Sequence, residues 1–278
     1  MSKCFKTVLF FIIISSFVCC EKDILEYELE KNNTKIIYQN NYFTAHAFGR
    51  IDGYDYTNSR EAFCQSYANG YRIFEVDVQL TSDSIPVCMH DIKKFNKMSG
   101  VNDNDTSLMY DEFSERKIFN KYTPVDVHFL IEMLMKYDNI YFDLDMAYDA
   151  DIIVQYIVNQ CNSANLTRQK QNEILNRLII EIYRYEDYYK IQQIYPFANC
   201  GLTLSLLPKN ERDKHINFML HNKLDLVFEE YKDLDSAIVA RYNGLGINVV
   251  AWTVDDIVKA EQLAQYGCIG IQTNVLKP

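Results

Sequence analysis

Two acids and a histidine stand close together in FEVDVQLTSDSIPVCMHD, Phe74 to Asp91. Glu75 and Asp77 interrupt the otherwise apolar run Ile73 to Val78. In a strand every second side chain leaves the same face, so the two carboxylates project together. Burying like charges side by side is costly unless a cation or a ligand compensates them. His90 lies just downstream, and a further histidine, His46, sits in AHAFG. Imidazoles titrate near neutrality, which suits them to proton transfer. Other acids end similar apolar runs: Asp143 and Asp145 in YFDLD, Glu181 in IIEIY and Glu229 in VFEE. Oxygen donors from Glu75, Asp77 and Asp143 suit Ca2+ or Mg2+ better than zinc, which prefers nitrogen and sulfur.

Elements of regular spacing must carry these groups. Short apolar runs rich in β-formers recur: YFTAHAF, YRIFEVDVQL, NIYFDLDM, RLIIEIYR, CGLTLSL, LDLVFEE, INVVAWTV and CIGIQTN. Stretches of helical period lie between most of them, as at Asp126 to Tyr137, Asp149 to Cys161 and Asp255 to Tyr266. Alternating strand and helix predicts a parallel sheet covered by helices, and eight strands close a (β/α)8 TIM barrel. IPVCMHD follows the second strand after the turn TSDS and reads as an added hairpin arm. Residues 92–124 are long and polar enough to predict a lid or substrate-side insertion. Active sites of such barrels sit at the carboxyl ends of the strands, where His46, Glu75, Asp77, His90, Asp143, Asp145, Glu181 and Trp252 all fall. Tyr183 shares a strand face with Glu181 and joins Trp252 as a candidate pocket residue.

The ordered set AHAFG, YTNSREAF, NGYRIFEVDVQL and MHD, closed by VVAWTVDDIVKAEQLAQYGCIGIQTN, resembles the glycerophosphodiester phosphodiesterase family over about Phe43 to Pro278. That resemblance implies a metal-dependent phosphodiester hydrolase. It makes His46 and His90 the catalytic histidines, and Glu75, Asp77 and Asp143 the metal ligands. The chain departs from the family pattern in three places, one of them the family's Glu-Asn-Thr, weakened here to YTNSREAF with Thr57 and Asn58 remaining around an N-cap. The family's Arg after the first histidine is Ala47, and the Lys two residues beyond the third ligand is Asp145. Two cations that would face phosphate are thus missing and one anion is added. Arg50 or Arg184 is expected to restore one charge, and Asp145 to serve as a further ligand, a neighbour of the ligands or a helix cap.

The bulk composition bounds the partners. The 278 residues are 48% hydrophobic and 24% charged, enough for one large core, and carry a formal charge of −10. Such a surface does not neutralise nucleic-acid phosphates. The expected substrate is a small phosphodiester or a lipid headgroup, handled by a monomer. The alternatives are a phospholipase-type cleavage of phosphatidylinositol or a lysophospholipid, and a catalytically lapsed barrel that binds a phosphorylated ligand. Lys3 and Lys6 precede the apolar run Val8 to Cys20, so residues 1–20 read as a signal peptide or membrane anchor. Residues 21–40 read as a tether, and 41–278 as the barrel of an exported protein. Outside the leader five cysteines are scattered without CxxC spacing, which predicts buried thiols and leaves room for one disulfide. Asn32, Asn104 and Asn165 begin N-x-[ST] sequons.

Overall fold

The computed structural model describes residues 33–101 and 107–278. Residues 1–32, and with them the leader, most of the tether and Asn32, lie outside the described residues, as does Asn104. The strands are β1 (Phe43–Ala45), β2 (Ile73–Leu80), β3 (Pro86–Cys88), β4 (Tyr141–Asp145), β5 (Leu178–Ile182), β6 (Cys200–Thr203), β7 (Leu226–Glu230), β8 (Asn248–Trp252) and β9 (Gly270–Thr273). Around the ring they run β1-β9-β8-β7-β6-β5-β4-β2, and β2 pairs back to β1, all in parallel. The eight apolar runs of the sequence are these eight strands. β3 lies outside the ring, antiparallel to the upper half of β2 with Val78 opposite Cys88. IPVCMHD is therefore the expected hairpin arm.

Alternation sorts the strand residues. Phe74, Val76, Phe142, Leu144, Ile180, Ile182, Val227 and Val249 face outward into the main core beneath the helices. Those helices are α2 (Arg60–Ala68), α5 (Val127–Lys136), α6 (Ala150–Ser163), α7 (Arg168–Leu175), α8 (Tyr185–Ile194), α9 (Arg212–His221), α10 (Ser236–Gly244) and α11 (Ile257–Tyr266). Side-chain caps begin several of them: Ser59 for α2, Asp126 for α5, Thr167 for α7, Asp235 for α10 and Asp256 for α11. The alternate strand residues fill the barrel, where Ile73, Ile179, Leu226, Phe228 and Val250 form a smaller apolar layer.

A further helix, α1 (Asn33–Asn40), precedes β1. Its Ile37 and Tyr38 belong to the interior layer and are fully buried. The last eight residues assigned to the tether are thus a plug at the amino-terminal end of the barrel. The aromatic needs room there: a Cβ on Gly270 would come within 2.4 Å of the Tyr38 ring, and one on Gly201 within 2.4 Å of Phe228.

The insertion also differs from the expectation. Residues 92–124 carry α3 (Ile92–Met98) and α4 (Tyr110–Glu115) and bury Phe95, Met98, Leu108, Phe113, Ile118 and Tyr122 in the main core. Apolar residues dispersed among polar ones hid that packing, and no described residue of 92–124 lines the cleft at the strand ends. Cys64, Cys88, Cys161, Cys200 and Cys268 are all free thiols, so no disulfide forms among the described cysteines.

The plug yields a stability test. Tyr38→Ala should cost roughly 3 kcal/mol, the scale for emptying a buried aromatic site, read as a lower urea midpoint with unchanged slope. An unchanged midpoint would show that α1 is dispensable to the barrel.

Candidate active site

The carboxyl ends of the ring strands open into a cleft of about 330 Å³. β2 and β4 pair in register, Glu75 beside Asp143 and Asp77 beside Asp145, so the inward acids form two layers. In the upper part Glu75, Asp77 and Asp145 each bring a carboxylate oxygen within 4.8 Å of the others. Glu75 Oε1 is buried without a hydrogen-bond partner. An oxygen-only donor set that includes a residue with an orphaned buried oxygen fits a hard divalent cation.

Neighbouring loops hold the other carboxylate oxygens. After β1 the chain turns sharply, with Ala47 at φ 48° and Phe48 at φ 66°. This left-handed turn aims the Ala47 N–H at Glu75 Oε2, 2.6 Å away. Asn58, at φ 43°, donates from Nδ2 to Asp77 Oδ2 at 2.8 Å, while its Oδ1 accepts from the Asp77 N–H. Asp145 takes a hydrogen bond from Tyr183. In YTNS, therefore, Asn58 clamps an acid and Ser59 caps the helix, a division of labour the motif alone did not reveal.

Asp143 lies one layer deeper and does not line the cleft. Its Oδ2 accepts from Tyr38 at 3.4 Å and from Gln272 Nε2 at 3.1 Å, and its Oδ1 is buried without a partner. The structure thus gathers Asp145 with Glu75 and Asp77, and leaves Asp143 to the floor. Glu181 reaches the cleft, held by Thr203 at 2.6 Å and Gln272 at 3.0 Å. Tyr183 and Trp252 also line it. Glu229 points outward from the barrel, where Arg212 donates to its Oε2 at 2.7 Å.

His46 and His90 face the same cleft. Tyr56, which the sequence reading passed over, stands between them, its ring edge-on to His46 at 4.9 Å and to His90 at 5.3 Å. The His46 Nε2 lies 3.9 Å from Glu75 Oε2, and its Nδ1 pairs with Asn274 Oδ1 at 2.9 Å. The His90 Nδ1 pairs with Asp91 Oδ2 at 2.7 Å, and Asp91 also caps α3 through the Lys94 N–H. Burial pushes the Asp91 carboxyl up, but the Lys94 amide and the His90 ring outweigh it and hold it below the usual range. The three remaining histidines serve elsewhere: His128 beside Glu132 on the surface, His215 between Tyr185 and Pro208, and His221 at an exposed helix end.

The expected replacement cations are not at the cleft. Arg50 is paired with Asp55 at 2.6 and 2.8 Å and lines a separate groove with Asn274 and Lys277. Arg184 is paired with Asp187 at 3.0 Å. Among the described residues no Lys or Arg lines the cleft. Two cations pack behind lining rings: the Arg184 guanidinium sits 5.7 Å from the centre of the Tyr148 ring, and the Lys94 ammonium 3.6 Å from that of the Tyr56 ring. No spacing in HDIKKF predicts that contact, because it depends on the positive-φ turn that presents Tyr56.

Without a cation the acids resist ionisation. Burial, then the charges of Asp77 and Asp145, raise Glu75; burial, then Glu181 and Asp77, raise Asp145; burial lifts Asp143 to about 8. A carboxyl raised in the folded state holds its proton more tightly than in the unfolded chain. The metal-free protein should therefore lose stability as pH climbs from the ordinary carboxylate range, about 4, through about 8. Thermal melts in EDTA across that window test this, with a divalent cation restoring stability most at the upper end. A flat profile, or one rising with pH, would contradict it.

The fold agrees with that of other chains. The model of the glycerophosphoryl diester phosphodiesterase family matches residues 49–277. Among solved structures, a glycerophosphodiester phosphodiesterase from Parabacteroides distasonis shares 20% identity at a TM-score of 0.64, covering 84% of this chain and 93% of that one. An Oleispira antarctica phosphodiesterase, solved in complex with the product sn-glycerol-3-phosphate, shares 16% identity at a TM-score of 0.66, covering 84% and 92%. No curated protein matches. The family model spans most of the 278 residues and takes in the whole acidic cluster and His90, so the chain belongs to the glycerophosphoryl diester phosphodiesterase family.

Proposed function

We propose that the protein hydrolyses a small glycerophosphodiester, with Glu75, Asp77 and Asp145 holding Ca2+ or Mg2+ and with His46 and His90 as the acid–base pair. The observation that carries this reading is the presence of both histidines and the acidic triad in one cleft at the strand ends. The product glycerol phosphate held by the Oleispira neighbour makes a glycerophosphodiester the natural substrate class. A bound divalent cation would neutralise the phosphate oxygens and the charge that develops at phosphorus.

The chain's own residues supply the rest. Ala47 and Asn58 hold Glu75 and Asp77 against their mutual repulsion. His46 turns its Nε2 toward Glu75 and accepts the proton of the attacking hydroxyl. His90, held at Nδ1 by the Asp91 carboxylate, donates a proton to the leaving oxygen. Their exposure fits these roles: the His46 side chain is 10% exposed, deep beside the triad, and His90 is 41% exposed, nearer the mouth. Tyr56 separates the rings and keeps their edges in place.

Asp145 where the family has Lys makes this cleft more acidic, and Lys94 behind Tyr56 is a compensating charge beside it. A lipid headgroup is the second reading, favoured by Tyr148 and Leu206, which line the cleft and are 57% and 53% exposed. The same account takes residues 1–20 as an export signal or membrane anchor and the enzyme as a monomer. α1 enters the barrel at the end opposite the cleft.

The test is a panel of glycerophosphodiesters and lysophospholipids assayed with EDTA, Ca2+ or Mg2+. His46→Ala and His90→Ala should each lower kcat/KM by roughly 100-fold or more. A folded, cation-loaded protein that cleaves nothing would make it a binding barrel. Calorimetry of cation binding should show Asp145→Asn weakening affinity far more than Asp143→Asn. The reverse order would move the third ligand to Asp143.

A further inference from the structure

We propose that Asp255 and Asn274 form a positioning array that holds His46 as its Nδ1–H tautomer, leaving the Nε2 lone pair turned into the cleft. The proposal rests on His46 being the proton acceptor and adds the two residues that prepare it for that task. Asp255 follows β8 and Asn274 follows β9, neighbouring strands of the ring, so both loops meet at the carboxyl end beside β1.

The direction of every hydrogen bond follows from what each atom is able to do. Asp255 Oδ1 accepts from the Thr273 hydroxyl at 3.0 Å and from the Asn274 N–H at 2.8 Å. Its Oδ2 lies 2.9 Å from the Asn274 side-chain amide nitrogen. An ionised carboxylate only accepts, so the NH2 end of Asn274 must face Asp255 and its carbonyl end must face away. That carbonyl, Asn274 Oδ1, stands 2.9 Å from His46 Nδ1. A carbonyl cannot donate, so the proton of a neutral His46 resides on Nδ1. Nε2 is then an acceptor, 3.5 Å from the Thr253 hydroxyl, which is able to donate to it. One carboxylate outside the cleft therefore orients an amide, and the amide selects the tautomer. His90 differs in kind, because a carboxylate touches its Nδ1 directly.

The array also accounts for the closing QTN of the last strand, which the catalytic reading leaves unused. Gln272 ties Asp143 to Glu181 in the floor, Thr273 and Asn274 bind Asp255, and Asn274 reaches His46.

Nitrogen-15 NMR of histidine-labelled, metal-free protein tests the proposal without reference to turnover, with the His46 signals assigned by their loss in His46→Gln. Wild type should show His46 protonated at Nδ1. Asn274→Ala should convert it to a tautomer mixture and lower kcat by roughly 10- to 100-fold, the scale for losing such an orienting partner, with KM little changed. Asp255→Asn, a near-isosteric change at an exposed site, should free the Asn274 amide to turn over and mix the tautomers in the same sense. An Nε2–H tautomer in wild type would overturn the proposal, as would Nδ1–H retained in both variants with kcat intact. If His46→Gln keeps full activity while the spectra follow the prediction, the catalytic reading of His46 fails and the array stands.

Discussion

Repulsion among carboxylates inside a barrel is the constraint on which the rest of this structure depends. Glu75, Asp77 and Asp145 approach within 4.8 Å of one another. At an effective dielectric near 20, each ionised pair at that range repels by roughly 3 to 4 kcal/mol. Among the described residues no Lys or Arg lines the cleft to offset this, and the acids are held by neutral donors: the Ala47 amide, Asn58, Tyr183, Gln272, Thr203 and Tyr38. Hydrogen bonds orient the acids without removing their charge. A barrel built this way holds the acids protonated or awaits a cation, and two buried carboxylate oxygens, Glu75 Oε1 and Asp143 Oδ1, have no hydrogen-bond partner.

The surrounding architecture serves the same end. The left-handed turn after β1 brings a backbone amide to Glu75 and places His46 at the strand end. The positive-φ residues Tyr56 and Asn58 carry a ring between the two histidines and a clamp for Asp77. Strain of this sort persists where the packing around it over-determines the conformation, and it concentrates at functional sites. Below, α1 closes the barrel with Tyr38, whose hydroxyl meets Asp143. The acidic triad, the two histidines and the floor are thus stacked along the barrel axis.

Much of this was legible in the sequence, for a physical reason in each case. Period-2 runs and intervening helical stretches identified all eight ring strands, because alternation and burial are local properties. The shared face of Glu75 and Asp77 followed from the same alternation. The choice between Asp143 and Asp145 did not, since both project inward and only depth within the barrel separates them. The placement of Arg50 outside the cleft depends on its pairing with Asp55 across a turn, which no spacing encodes. Tyr38 was hidden in a charged, polar segment, and its role emerges only from the space left by Gly270. Asn274 ended a strand already recognised, and its partners follow the two strands beside it in the ring, Asp255 after β8 and His46 after β1, the latter 228 residues away.

Anomalous diffraction from crystals grown with Mn2+, a hard-cation substitute, tests the central claim most directly. The account predicts a single strong peak within about 2 to 2.5 Å of oxygens from Glu75, Asp77 and Asp145, with Asp143 beyond bonding reach. A peak ligated by Asp143 in place of Asp145, or no peak at all in a folded protein, would contradict it.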